Sequence, residues 1–125
     1  MKLLKEFKIP FMMKKNSIMT INSWATQHWS TKSRLKNEYK DLLKCWFIDD
    51  DLLPRDLHFE WFPIYRDKRK RDAINVAPSI KVFEDCLVEN GNLFDDDNTS
   101  HYIYPRAFDK SLQSHMLGIK IYKRD

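Results

Sequence analysis

The chain has 125 residues, enough for one hydrophobic core and too few for two, and its 42% hydrophobic and 32% charged content is that of a folded domain. Two glycines give no basis for a phosphate-cradling glycine-rich loop, which argues against a nucleotide-cofactor enzyme. The formal charge of +4, from 22 Lys and Arg against 18 Asp and Glu, is a modest basic excess whose meaning depends on where the cations cluster.

The first segment, residues 3–11, partly alternates apolar and polar residues and stops near a proline, which predicts a strand. Its charges interrupt any apolar run of signal-peptide type, and no later segment reaches membrane-spanning length, so a cytoplasmic protein is expected. Residues 12–29 have no clear period and predict a loop with aromatic anchors at Trp24 and Trp29, able either to pack in the core or to stack on unpaired bases. A helix capped by Ser30 or Thr31 should run to about Phe47, since Leu35, Tyr39, Leu42, Leu43 and Trp46 recur at helical spacing. Its other face carries Lys32, Arg34, Lys36, Lys40 and Lys44.

Asp49, Asp50, Asp51 and Pro54 end that helix, and Leu57 to Tyr65 read as an aromatic-rich strand. A second helix is predicted from about Asn75 to Glu89 on the spacing of Val76, Ile80, Phe83 and Leu87, with Pro78 in its first turn and Asn90-Gly91 as its stop. Residues 101–108 and 114–123 predict two final strands, the second with Leu117, Ile119 and Ile121 on one face. The expected fold is therefore α+β: one domain over 1–125, a mixed sheet packed with two main helices in the order β-α-β-α-β-β. Cys45 and Cys86 lack zinc-site spacing and are expected as reduced thiols, and His28, His58, His101 and His115 are too dispersed to predict a metal site.

The chemistry is concentrated between residues 66 and 97. Arg66, Lys68, Arg69, Lys70 and Arg71 form a basic run suited to nucleic-acid phosphates. Asp72 follows at once, and Asp95, Asp96 and Asp97 come just past the second helix; such carboxylates supply the hard oxygen ligands that Mg²⁺ requires. Each element also has a plain structural use. Asp72 could cap a helix, the aspartate triplet could be a solvated turn, and Lys81 could pair with Asp85 one helical turn on.

At these residues the chain resembles the RusA family of Holliday-junction resolvases, small endonucleases of phages and prophages. The family pattern is a basic run into Arg-Asp-x-Asp-Asn, a helix containing Lys and an Asp-Ala-Leu-like stretch, a glycine and an Asp-Asp pair. The chain reads Lys70-Arg71-Asp72-Ala73-Ile74-Asn75, Lys81, Asp85-Cys86-Leu87, Gly91 and Asp95-Asp96. Its first strand, its Asn22-Ser23-Trp24 and His28-Trp29 loop and its basic helix are similar to the family's amino-terminal half in order and length. The resemblance implies a homodimer that binds branched DNA, four-way junctions above all, and nicks it with Mg²⁺. It implies metal binding by Asp72 and Asp96, with Asp95 as a further candidate, a cleavage role for Lys81, and backbone contacts from the basic run. Ile74 departs from the pattern: it stands where the family has a second aspartate and carries no metal-binding atom. The alternative is thus a catalytically degenerate relative that binds branched DNA or a protein partner without cutting. A third possibility, an RNA target, has no separate RNA-binding motif behind it. Asp72 and Asp96 flank a helix of about 21 Å by this reading, so they meet only if the following loop folds back or a second subunit contributes.

Overall fold

The computed structural model describes residues 1–15, 17–44, 52–71, 73–90 and 99–124. Its strands are β1 (Lys2–Pro10), β2 (Met13–Lys14), β3 (Ser17–Ile18), β4 (Leu57–Tyr65), β5 (Thr99–Ile103), β6 (Ala107–Phe108) and β7 (Met116–Lys123). Its α-helices are α1 (Ile21–Ala25), α2 (Trp29–Leu43) and α3 (Ala77–Glu89), the last entered through a 3-10 turn, Ala73–Val76.

The sheet grows outward from β4, whose alternating sequence buries Leu57, Phe59, Trp61 and Tyr65 on one face. β7 lies antiparallel to β4 and β1 antiparallel to β7, while β5 and the short β6 run parallel to β4, giving the order β1-β7-β4-β5 in a mixed sheet. β2 and β3 form a separate hairpin. Leu117, Ile119 and Ile121 are buried on one face of β7, as their period-two spacing predicts; burying each such side chain is worth about 1.5–3 kcal/mol. On the opposite face Gly118 gives way to a neighbour, since a Cβ there would stand 3.2 Å from the Cβ of Phe62.

α2 and α3 cover the buried face. α3 contributes Val82, Phe83 and Leu87, with Phe83 edge-on to Trp61 at 5.5 Å, and α2 contributes Leu35, Tyr39 and Leu43. Two polar contacts fix the helices to the chain leaving β1. The Tyr39 hydroxyl donates to the Pro10 carbonyl at 2.6 Å, and the fully buried Ser79 Oγ accepts the Met12 N–H at 2.9 Å. Burial raises the Tyr39 hydroxyl pKa, so it stays protonated and able to donate. Because α3 links the parallel strands β4 and β5, the connection leaving β4 emerges at the strand's carboxyl end, the usual side for ligand crevices in such units.

Several expected elements differ in detail. The predicted loop over 12–29 holds the β2–β3 hairpin and the five-residue α1, elements too short to show a period. α2 begins earlier than predicted, because His28 Nδ1 accepts the Ser30 N–H and makes His28 the cap in place of Ser30 or Thr31. The helix ends at Leu43, and the predicted continuation through Trp46 and Phe47, Cys45 and the acidic turn 49–51 lie outside the described residues. The single strand expected over 101–108 is two strands separated by Tyr104–Arg106, the second pairing with the far end of β4. Among the described residues no helix is long and apolar enough to cross a membrane.

Candidate nucleic-acid interface

Residues 66–71 leave the end of β4 as a turn in which Arg66 to Lys70 are exposed and Arg71 folds inward. Asp67 organises it. One carboxylate oxygen accepts the Arg69 N–H at 3.0 Å, and the two oxygens receive the Arg71 guanidinium at 2.7 and 3.2 Å. Those hydrogen bonds, the guanidinium's foremost, hold the Asp67 carboxyl at about 2, well below its usual range. Arg71 is only 14% exposed because its guanidinium also lies over the Tyr65 ring, 4.5 Å from the centroid. Phe11 stacks on the same Tyr65 ring at 5.5 Å, which ties this platform to the core.

His115, immediately before β7, closes the turn from the other side. Its Nδ1 accepts the Arg66 N–H at 3.0 Å and its ring meets Tyr65 edge-on at 5.4 Å. Burial, then the neighbouring Arg71, lower its pKa, so the neutral ring is favoured. Between this assembly and the β2–β3 hairpin lies an open cleft of about 260 Å³, lined by Ser17, Ile18, Thr20, Arg69, Lys70, Arg71, Asn75 and His115. The fold therefore brings three cations of the predicted basic run, and the Asn75 amide, to one concavity.

The other predicted cations are placed differently. Lys68 lies over the Phe108 ring at 5.3 Å. The basic face of α2 is largely neutralised by neighbours: Arg34 pairs with Glu38 at 3.1 Å, Lys36 with Asp85 at 2.9 Å, Lys44 with Asp41 at 3.1 Å, and Lys40 with Glu89. Lys81 is 77% exposed on α3 and reaches Asp85 at 3.6 Å, a contact Asp85 shares with the nearer Lys36. Its ion pair is thus loose, and its ammonium remains available to an anion.

The metal-binding candidates Asp72, Asp95 and Asp96, with Asp97, lie outside the described residues, as does Gly91. Among the described residues no three His, Cys, Asp or Glu side chains are grouped to hold a metal ion. The histidines have other partners. His101 Nδ1 accepts from the Trp61 indole at 3.0 Å while its Nε2 faces Glu84, and His58 shares a hydrogen bond with Ser100 at 2.8 Å. Trp24 packs against the core, whereas Trp29 is 73% exposed. Cys86 is buried in the core, and burial pushes its thiol up to about 11.

Sequence reasoning missed Ser17, Ile18, Thr20 and His115 in the lining of the cleft, and Asp67, which holds Arg69 and Arg71 beside it. Only Asp67 left a local signal, its spacing of four from Arg71 inside the basic run. No protein-family model matches the chain, and a search of curated proteins returns no significant match.

Proposed function

We propose that the protein is a homodimeric, Mg²⁺-dependent endonuclease selective for branched DNA, four-way junctions above all. The observation that carries this reading is the convergence of Arg69, Lys70 and Arg71 with Asn75 in a cleft at the carboxyl end of β4. The cleft lies where the chain passes into the Asp72–Asn75 segment that resembles the RusA pattern. Cations gathered in a concavity act on a phosphate more strongly than the same cations dispersed along a helix and paired with carboxylates.

In this reading Arg66, Lys68, Arg69, Lys70 and Arg71 position the phosphate backbone without reading bases. Asp72 and Asp96, with Asp95, would hold Mg²⁺, which supplies an activated water and charge neutralisation at the scissile phosphate. Lys81, exposed on α3, would stabilise negative charge developing on that phosphate or its leaving oxygen. Two subunits account for two symmetry-related nicks across a four-way junction.

The second reading, a binder of branched DNA or of a protein partner that does not cut, is favoured by Ile74 at the position of a family carboxylate. One experiment separates the two. Purified protein is incubated with a labelled four-way junction in Mg²⁺, with linear duplex, EDTA and Asp96→Asn as controls. Paired, metal-dependent nicks lost in the variant support the endonuclease. Tight junction binding without nicking, with cutting acquired by Ile74→Asp, supports the degenerate binder.

A further inference from the structure

The hydrogen-bonding pattern around His115 contains a mismatch that an anion would resolve. Because Nδ1 accepts the Arg66 N–H, a neutral His115 carries its proton on Nε2. That Nε2 stands 3.5 Å from the Arg71 guanidinium nitrogen, so the contact brings two donors together and supplies no acceptor between them. Among the described residues, Asp67 Oδ2 accepts from that same guanidinium nitrogen at 3.2 Å but stands 4.0 Å from Nε2, beyond hydrogen-bonding reach of the imidazole.

Other donors converge on the same cleft. Thr20 Oγ1 accepts the Ser23 N–H as a helix cap, which leaves its own O–H proton to donate, and Ser17 adds a second hydroxyl. Arg69 and Lys70 add charge. Among the described residues Asp67 is the carboxylate that meets this group of donors, and its two oxygens face Arg71 as phosphate oxygens would.

We propose that this cleft seats a single phosphate of a nucleic-acid backbone and that Arg71 exchanges Asp67 for that phosphate as it enters. The physiological ligand rests on the nucleic-acid reading above; the seat itself rests on the donor geometry. Tyr65 keeps the guanidinium plane fixed in both states, so the exchange requires a change of partner and little movement of the platform. His115 gains an acceptor for Nε2 and acts as a positioning residue, holding the turn through the Arg66 N–H.

The test uses the full chain without metal, in EDTA at constant ionic strength. Inorganic phosphate, thymidine 5′-monophosphate and the thymidine dinucleotide with one internal phosphodiester are titrated, and the His115 ring nitrogens and Arg71 Nε are followed by ¹⁵N NMR. Saturable shifts with the dinucleotide, weakened roughly tenfold by Arg69→Ala with Lys70→Ala, are expected. Asp67→Asn removes the competing charge at an exposed position and should tighten binding roughly threefold. Three results overturn the proposal: shifts that match those from added chloride, shifts with inorganic phosphate and the monoester but none with the dinucleotide, or weaker binding in Asp67→Asn. Dinucleotide binding by a protein that never nicks a junction upholds this seat and defeats the endonuclease reading alone.

Discussion

Salt dependence offers the sharpest check on where the protein meets phosphate. Of the five cations in the basic turn, Arg71 is committed to Asp67 in the unbound protein, leaving Arg66, Lys68, Arg69 and Lys70 exposed. Counting one neutralised charge for each of those four cations, with Arg69 and Lys70 sharing the cleft phosphate, the logarithm of the association constant should fall against the logarithm of salt with a slope of about −3.6 per subunit. Raising salt from about 50 to about 200 mM would then weaken junction binding roughly 150-fold. Arg69→Ala with Lys70→Ala removes two contacts, halving the slope to about −1.8 and the loss to roughly 12-fold. The halving is the same whether one subunit or both touch the junction, so it does not depend on the oligomeric state. Both side chains are exposed, and the backbone N–H of residue 69 that bonds Asp67 survives the substitution. Fluorescence anisotropy on a labelled four-way junction in EDTA, over a series of salt concentrations, reads the slopes. An unchanged slope in the double variant would refute the reasoning and move the phosphate contacts elsewhere, to the α2 face despite its local ion pairs.

The remaining expectations address catalysis, pH and the core. Lys81→Met should alter stability by no more than about 0.5 kcal/mol, since its exposed pair with Asp85 is weak, yet it should abolish junction cleavage while leaving binding in place. Undiminished nicking would reduce Lys81 to a surface residue. Between pH 7 and pH 2 stability should fall in two stages. The first starts near 6.5, the ordinary His value: His115 has a folded pKa lowered by burial and Arg71, so the unfolded chain takes the proton first. The second spans the window from 3.8 down to about 2, because the Arg71-bound carboxylate of Asp67 contributes stability that is complete above its unfolded pKa and vanishes as pH falls through the folded one. His115→Gln should remove the first stage and Asp67→Asn the second; unfolding curves that retain both contradict these origins. Ser79→Ala deprives the buried Met12 N–H of its acceptor and should cost about 1–3 kcal/mol in urea unfolding, with a change below about 0.5 kcal/mol refuting the contact's weight.

Elements with strong local patterns are legible in the amino-acid sequence alone. The strand Leu57–Tyr65 is readable at both ends because alternating residues and flanking breakers are properties of the local chain. The same holds for the buried stripe of Leu117, Ile119 and Ile121, and for α3 with Pro78 in its first turn. By contrast, β2, β3 and α1 are too short to repeat a pattern, and they form where Met12, Met19 and Trp24 meet the core.

The candidate site divides along the same line. The basic run is visible in the sequence because charge clustering is local, and it points to phosphate as the chemistry to expect. Which cations face a common cleft is not visible there. That depends on the parallel pairing of β4 with β5, on Tyr65 as a platform for Arg71, and on His115 returning from 49 positions away to take the Arg66 N–H. Composition and periodicity determine what each segment can bury or bind. The convergence of Ser17, Thr20, Arg71 and His115 was decided only by tertiary structure, because contacts between distant segments leave no spacing along the chain.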